Sequence, residues 1–521
     1  MNAQRTQMTC AQCRINRRNF LAASCLIGAG AASHLSRPTH AIADEPAVPV
    51  RIHIVYSVHD TVQPGPDWPN VGYDFAPFME NIKNELRDRC PGFEFSTSMA
   101  KGEEEAKAIL ERDRSRPIDG YLVFQLNCWN RVVQTLANSE NPVLYADFQY
   151  GGSGGFLVYT AGFLRNQAPN FAFVSSSKIE DLAEAVKQFA LVKKSGTPSN
   201  FSAAVKQVRI KQTPSAGDLS CIKDPLATIT SDECIKKLTA SRILAVRDQN
   251  SGSAKDIFGI PVEYIPFEEL NNAWKNAAKD ESRETAERWS QNASQVIDVD
   301  NETLATSAAM YLGMKNVLQK HNANAITVNC LGGFYGGHIH AYPCLGFHEL
   351  NNQALIGACE CDIQSTASML AITTLTQGRP GYISDPVIDT AKRQIIYAHC
   401  VAPNKMFGPD GKTNPYAIMT HSEDRQGAAV RSVLPLGYMT TTIKVKEETK
   451  EIIFHQGKAV ENDPDDRACR TKLAVEPVGD IEKLFTQWDH WGWHRVTAYG
   501  DLKGPIYDLA DRMGWTVLEE A

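Results

Sequence analysis

Short apolar runs alternate with longer stretches of helical periodicity between about residue 50 and residue 360. A continuous apolar run predicts a buried strand, and apolar residues every three or four positions predict an amphipathic helix. Strands are therefore expected at 50–56, 120–126, 142–147, 241–246, 325–330 and 354–359. Helices are expected at 76–89, 103–114, 132–137, 268–290 and 304–321. Strands that alternate with helices at this spacing predict parallel sheets covered by helices on both faces.

The pattern changes in the last third of the chain, where apolar and polar residues alternate one by one. Residues 440–446 and 451–455 alternate in this way around a polar turn, which predicts a β-hairpin. A polar stretch rich in Ser, Thr and Lys separates two α/β units near residue 195. We therefore predict an α/β protein with two α/β domains followed by a β-rich, barrel-like domain. The predicted domains are 50–195, 196–355 and 356–521.

Composition excludes several classes of protein. Apolar residues make up 43% of the chain, which is enough to build real cores. Charged residues make up 22%, the net charge is −7 and no long basic run occurs, so nucleic acid is not expected as a partner. No apolar run reaches the roughly 18 residues of a membrane span, so no integral membrane segment is predicted.

The N-terminal segment 1–43 resembles a twin-arginine export signal. Arg17 and Arg18 precede Phe and Leu, a weakly apolar stretch follows, and small residues fit a cleavage site before Asp44. The alternative is a basic N-terminal tail. We expect the mature protein to be periplasmic or extracellular, where Cys221 and Cys234 could form a disulfide. Because the twin-arginine route carries folded proteins, the signal also raises the expectation of a metal inserted before export.

A glycine-rich segment, 151–155, follows the strand expected at 142–147. Its spacing fits neither a Walker loop nor the dinucleotide-binding fingerprint. It therefore predicts a tight turn at which the backbone closely approaches a substrate or a neighbouring chain.

Histidines and acids concentrate in the last part of the chain. Eight of the 13 histidines lie between residues 337 and 495, among acids that suit a hard or borderline divalent metal. The best local motif is Ala-Cys-Glu-Cys-Asp at 358–362, at the end of a strand where α/β sheets bind ligands. On a strand, Glu360 and Asp362 would point the same way and repel unless they share a cation or a proton. The alternative is one helix-capping carboxylate and one surface acid.

The segment 358–363, with Thr-Gln-Gly at 376–378 after a helix, resembles the L-fucose isomerase and L-arabinose isomerase superfamily. Further segments that resemble this superfamily are 342–345, 398–403, 469–471 and 494–501. The resemblance covers the chain from about residue 50 and is specific in its last 200 residues. It is greatest to the fucose-isomerase-like branch.

This resemblance implies two Rossmann-like domains and a C-terminal β-barrel. It implies an intramolecular oxidoreductase that interconverts aldoses and ketoses through an enediol, with a divalent ion, usually Mn²⁺, held by Glu, Asp and His. Asp362 matches the aspartate and His494 matches the histidine, so the two should lie within coordination distance. The glutamate, which is also the base, should precede the aspartate by about two dozen residues, where this chain has His338.

The missing glutamate leaves the third metal ligand and the base open. Glu360, His338, His340 and Glu349 are the candidates for the third ligand, in that order of preference. The predicted catalytic residues are Glu360, Glu349 and Asp362.

Four further residues are candidate substrate contacts, each with a structural alternative. His399 follows a strand and could instead be a packed histidine. His421 lies in a polar loop and could bind sugar hydroxyls. Arg470 could bond a substrate oxygen or a main-chain carbonyl, and Trp491 could stack on a sugar or pack in the core.

The sequence therefore favours an exported, metal-dependent sugar isomerase. A non-catalytic sugar-binding or sensing protein on the same fold is the second hypothesis, and a metal-dependent lyase or hydrolase is the third. Because a neighbouring subunit completes the site in similar proteins, a homo-oligomer, trimer or hexamer, is expected.

Overall fold

The structure, a computed structural model, describes residues 48–194, 196–248 and 251–521. The twin-arginine segment and its cleavage site lie outside these residues. None of the described helices combines the length and the apolar character that a membrane span requires.

The N-terminal α/β region contains a wholly parallel sheet. Its strands are β1 (Val50–Ser57), β2 (Phe93–Ala100), β3 (Gly120–Gln125), β4 (Val143–Asp147) and β5 (Phe171–Val174). Its helices are α1 (Ala76–Arg89), α2 (Glu103–Asp113), α3 (Val132–Ala137), α4 (Ser153–Arg165), α5 (Ile179–Lys187), α6 (Phe189–Lys194) and α7 (Pro198–Gln212). The strand order is β2-β1-β3-β4-β5. Ile52 and Ile54 are fully buried, as expected for a central strand covered on both faces.

The second α/β region repeats this architecture. Its strands are β6 (Ile243–Val246), β7 (Gly252–Ser253), β8 (Val262–Ile265), β9 (Gln295–Ile297), β10 (Ala325–Val328) and β11 (Ile356–Cys359). Its helices are α8 (Ser231–Thr239), α9 (Phe267–Lys275), α10 (Lys279–Asn292), α11 (Asn301–Lys320), α12 (Cys330–Tyr335), α13 (Cys344–Asn352) and α14 (Ile363–Leu375). The sheet order is β11-β10-β6-β8-β7, with only the edge strand β7 antiparallel.

The C-terminal region is built around a closed barrel. Its strands are β12 (Tyr382–Asp389), β13 (Gln394–His399), β14 (Tyr416–Met419), β15 (Ala429–Ser432), β16 (Met439–Lys446), β17 (Glu451–Asn462), β18 (Thr471–Pro477), β19 (Arg495–Tyr499) and β20 (Thr516–Glu519). Its helices are α15 (Trp488–Trp491), α16 (Lys503–Met513) and a 3-10 turn at Lys483–Phe485. Six antiparallel strands follow the order β16-β19-β12-β13-β18-β17, and β17 pairs back with β16. The predicted fold class, parallel Rossmann-like sheets followed by a β-barrel, is confirmed.

Some element boundaries differ from those expected. The predicted helix 268–290 is two helices, α9 and α10, separated by a short turn. Strand β11, expected at 354–359 across the predicted boundary between the second and third domains, pairs with β10 in the second sheet, and the barrel begins at β12. Cys221 and Cys234, the candidate disulfide, are both free thiols.

The glycine-rich segment starts helix α4 rather than forming a substrate loop. Gly152, at φ +68°, lies at the N-cap position, and the helix begins at Ser153. A Cβ atom at Gly154 would lie 2.4 Å from the indole ring of Trp493. The close approach is therefore to this chain's own Trp493, which packs α4 against the C-terminal region.

Candidate metal centre

The chain leaves the second parallel sheet through an unusual turn after β11. Glu360 and Cys361 have φ angles of 62° and 53°, in the left-handed region that non-glycine residues rarely adopt. Asp362 then caps helix α14, because its Oδ1 accepts the backbone N–H of Ser365 at 2.9 Å. Backbone strain of this kind persists where surrounding contacts fix it, and it is frequent at functional sites.

The register of the barrel places Asp385 between two histidines. Ser384 on β12 pairs with Arg495 on β19, and Asp385 pairs with Ala398 on β13. The residues next to these partners, His494 and His399, therefore flank Asp385. Glu360 approaches from the edge of the second sheet, and one ligand atom from each of Glu360, Asp385, His399 and His494 lies within 4.8 Å of the others.

Asp362 contacts the ring nitrogen of His494 that faces away from Asp385 and Glu360. Its Oδ2 lies 3.0 Å from Nδ1 of His494 and also accepts from Nζ of Lys444 at 2.7 Å. The other ring nitrogen, Nε2, lies 3.0 Å from Oδ1 of Asp385 and 3.4 Å from Oε2 of Glu360. A carboxylate that orients a histidine so that its second nitrogen is free is the usual outer partner of a histidine metal ligand.

The pKa shifts in the cluster reflect the negative charge of the carboxylates around His494. Burial lowers the pKa of His494, but the carboxylates of Glu360, Asp385 and Asp362 raise it well above its ordinary value. Burial raises the pKa of Glu360, but the charge of His494 outweighs this and lowers it to about 2. The pKa of Asp362 is well below its ordinary value because Lys444 and His494 outweigh burial. This site therefore favours a positive charge.

Buried atoms of the cluster that lack a hydrogen-bond partner also agree with a bound metal ion. Oδ1 of Asp385, Nε2 of His399 and Nε2 of His494 are buried and have no hydrogen-bond partner with adequate geometry. Buried polar atoms are normally paired, and two of these atoms, Oδ1 of Asp385 and Nε2 of His494, could be satisfied by one cation beside Glu360. Carboxylate oxygen and imidazole nitrogen suit a divalent metal, so the cluster could hold one, although these donors do not fix its identity.

His399 differs from the other three members. Its Nδ1 accepts the backbone N–H of Cys400 at 3.0 Å. Because Nδ1 accepts this hydrogen bond, the neutral ring carries its proton on Nε2. Nε2 is therefore a hydrogen-bond donor. Glu360 and Asp385 thus offer free electron pairs, and His494 offers one at Nε2 once a cation replaces the proton there. His399 presents an N–H beside them.

A small cavity borders the cluster. Its lining includes Glu360, Asp385 and His399 together with aromatic residues, His421 and Glu423. Burial lowers the pKa of His421, but contact with Asp424 raises it to about 9. Burial raises the pKa of Glu423 to about 8. The cavity therefore carries groups able to donate protons next to groups able to bind a cation.

The candidate ligands predicted upstream lie elsewhere. His338 is exposed and stacks on Phe267, with ring centroids 5.4 Å apart. His340 is exposed near Trp274. Glu349 accepts from Nε1 of Trp289 at 2.9 Å. None of these three belongs to the four-residue cluster.

Of the four candidate substrate contacts, two line the cavity and two do not. His399 and His421 line the cavity. Arg470 is fully buried and donates to the carbonyl oxygen of Thr420 at 2.8 Å, which corresponds to the structural alternative. Trp491 is buried beneath Lys446, whose Nζ lies 5.6 Å from the ring centre.

Asp385 is the member of the cluster that the sequence analysis missed. It lies inside the buried strand β12, without a local motif around it. One signal was present: Glu360 precedes Asp385 by about two dozen positions, the separation that the resemblance implies between the glutamate and the aspartate.

Comparisons with known proteins find distant relatives. No protein-family model matches the chain. The chain is 23% identical over 269 residues to the sulfoquinovose isomerase of Priestia aryabhattai, covering 50% of this chain and 58% of that relative. It is 23% identical over 264 residues to the sulfoquinovose isomerase of Clostridium sp. (strain MSTE9), covering 49% and 57%. The match thus spans little more than half the length of these curated relatives, which are sugar isomerases by name.

The comparison with solved structures finds only weak similarity to this chain. The transcription regulator CcpA of Lactococcus lactis aligns with 9% identity and a TM-score of 0.16, covering 56% of this chain and 84% of that one. A TM-score this low bears on neither the fold nor the function.

Proposed function

We propose that the protein is a metal-dependent sugar isomerase that interconverts an aldose and a ketose through an enediol. The observation that carries this proposal is the convergence of Glu360, Asp385 and His494, with unpaired buried atoms, beside a cavity. The names of the distant relatives and the resemblance of segment 358–363 support the same reaction class.

In this proposal Glu360, Asp385 and His494 hold the ion, for which we propose Mn²⁺. A bound divalent cation supplies positive charge where an oxyanion develops. Asp362 orients His494 through Nδ1 and is a positioning residue. Glu349 lies outside the cavity lining and has no role in this proposal.

The proton transfers fall to groups of this chain. An aldose–ketose conversion moves a proton between C1 and C2 and needs a base beside these carbons. Glu360 lines the cavity with 33% of its side chain exposed, so we propose it as the base. His399 presents its Nε2–H to a sugar oxygen. Glu423 is protonated at neutral pH because its pKa is raised to about 8, and it serves as a second donor.

The test uses purified protein and a panel of aldoses, with ketose formation as the readout. We expect turnover to disappear after chelation and to return with Mn²⁺. Glu360→Gln should lower turnover by about 100-fold or more, the usual cost of losing a general base. His338→Asn, on the exposed surface, is the matched control and should retain activity.

Two outcomes separate the proposal from its alternatives. Sugar binding without turnover in the metal-loaded protein would favour the non-catalytic sugar-binding alternative. Turnover that survives both chelation and Glu360→Gln would contradict the metal-dependent reaction.

We further propose that the protein acts outside the cytoplasm as a homo-oligomer, a trimer or a hexamer. The support for export is the pair Arg17 and Arg18 with the segment that follows. Replacing both arginines by lysine should leave unprocessed precursor in the cytoplasm, as shown by fractionation and immunoblotting. Normal secretion of this variant would refute the signal. Light scattering of the purified protein tests the oligomer.

A further inference from the structure

Five cysteines line the cavity that borders the candidate metal centre. They are Cys330, Cys344, Cys359, Cys400 and Cys469. All five are buried free thiols. Half of the cysteines in the described part of the chain therefore meet at one place, and the proposed isomerase chemistry uses none of them.

Two of these thiols lie just beyond the ends of neighbouring barrel strands. His399 on β13 pairs with Thr471 on β18, so Cys400 follows one partner and Cys469 precedes the other. The hydroxyl oxygen of Ser422 lies 3.6 Å from Sγ of each cysteine.

We propose that Cys400 and Cys469 are an oxidation site, at which a peroxide or a small-molecule disulfide converts two thiols reversibly into one disulfide. With hydrogen peroxide, one sulfur attacks a peroxide oxygen, becomes a sulfenic acid and releases water. The second sulfur then displaces the hydroxyl group, the S–S bond forms and a second water leaves. The two sulfurs lose two electrons, and the peroxide is reduced.

The site couples to the candidate metal centre through one hydrogen bond. The backbone N–H of Cys400 donates to Nδ1 of His399 at 3.0 Å, and His399 faces Asp385. A disulfide requires a sulfur separation of about 2.05 Å, so the two sulfurs must move closer together than thiols in contact. This movement displaces the Cys400 backbone and with it the ring of His399. Oxidation should therefore weaken metal binding.

The first test maps the disulfide directly. The reduced full-length protein is treated with hydrogen peroxide or oxidised glutathione, alkylated, digested and analysed by mass spectrometry. We expect a peptide pair linked through Cys400 and Cys469 that dithiothreitol releases. The proposal would be overturned if Cys400 and Cys469 are both still alkylated after the half-buried Cys221 has been oxidised. A link between Cys330 and Cys359 would also overturn it.

Two variants and a binding measurement complete the design. Cys469→Ser should abolish the link, and the matched control Cys330→Ser should retain it. If either variant fails to fold, the wild-type mapping alone still decides. Oxidised wild-type protein should bind Mn²⁺ about 10-fold more weakly than reduced protein, because moving the ring of His399 disturbs Asp385, the proposed ligand beside it. Equal affinities would refute the coupling. Because the mapping reads thiols, its outcome is independent of any isomerase activity.

Discussion

Glu423 is a half-buried carboxyl group whose protonation should make stability depend on pH. Burial raises its pKa to about 8; the charge of His421 opposes this shift, and those of Glu360 and Asp67 add to it. In an unfolded chain a glutamate titrates near pH 4.3. A group with a raised pKa in the folded state stabilises the protein below its unfolded pKa. That contribution is lost as the pH rises towards the folded pKa.

Replacing Glu423 by Gln removes this titration. As the pH rises from about 4.3 to about 8, we expect the unfolding free energy of the wild type to fall relative to that of Glu423→Gln. The fall should be up to about 1.4 kcal/mol per pH unit. Urea unfolding at several pH values in this range measures the difference. Glu104→Gln, at an exposed side chain, is the matched control and should follow the wild type. Parallel curves for Glu423→Gln and the wild type would contradict the prediction.

Asp362 allows a test of positioning against ligation. Asn at this position still caps helix α14 but lacks the charge that holds Nδ1 of His494. We expect Asp362→Asn to weaken Mn²⁺ binding by about 10–100-fold, as for other outer partners of metal ligands. Titration calorimetry measures this affinity, with Asp385→Asn as the comparison that removes a proposed ligand. An Asp362→Asn affinity equal to that of the wild type would contradict the positioning role.

At the residue scale, what the sequence could predict depended on local signals. Glu360 and His494 stand in recognisable segments, and the expected approach of Asp362 to His494 is observed at 3.0 Å. Asp385 could not be found locally because no histidine and no other acid lies within three residues of it in the sequence. It meets Glu360 only through the pairing of β12 with β13 and β19 and the contact between the barrel and the second sheet.

At the element scale, helix α4 and Trp493 form a contact that supports the candidate centre. Gly154 lies against the indole ring, and Nε1 of Trp493 donates to the carbonyl oxygen of Pro386, next to Asp385. Trp493 also precedes His494 in the chain. The packing of α4 therefore bears on the position of two proposed ligands.

We expect Gly154→Ala to destabilise the protein by about 1–3 kcal/mol, because overpacking at a close contact forces neighbouring atoms to move. Gly162→Ala in the same helix is the control, since its nearest neighbouring atom is 3.8 Å away. It should be neutral or stabilising by up to about 1 kcal/mol from helix propensity. Thermal and urea unfolding measure both variants. Equal stability of the two variants would contradict the packing argument.

Predicting elements from the sequence succeeded where apolar periodicity was strong. The bounds of α1 and α3 agree with those predicted, and the hairpin of β16 and β17 is confirmed. Strand β2 escaped prediction because it is an edge strand with mostly exposed or half-buried side chains, so no buried run marks it. The charged helices α9 and α10 were predicted as one helix because the helical pattern of the sequence continues across the turn between them.

At the scale of the whole molecule, the end of the chain is tied to the barrel by buried charges. Arg495 and Glu520 are both fully buried, and their side chains form several hydrogen bonds. Nδ1 of His455 lies 3.0 Å from Oε2 of Glu520. Because Arg495 follows His494, this network also fixes the backbone of a proposed ligand.

Glu520→Gln should therefore destabilise the whole fold. Burial raises the pKa of Glu520, but the charge of Arg495 outweighs this and lowers it to about 2. A lowered pKa contributes stability above the unfolded pKa, near pH 4.3, which is lost as the pH falls towards 2. Breaking one partner of a buried pair costs about 3–5 kcal/mol, because the other charge is left uncompensated. Unfolding of the variant at pH 7 measures this loss.

The double variant Arg495→Met with Glu520→Leu separates the pair from its packing. Replacing both charges removes the uncompensated arginine, so it should recover much of the stability that Glu520→Gln loses. Acid titration adds a second readout: the wild type should lose stability below about pH 4.3, and the double variant should lose less. If Glu520→Gln is as stable as the wild type at pH 7, the buried pair does not anchor the C-terminal end. The position of His494 would then depend on Trp493 and on the contacts of its ring with Asp362, Asp385 and Glu360.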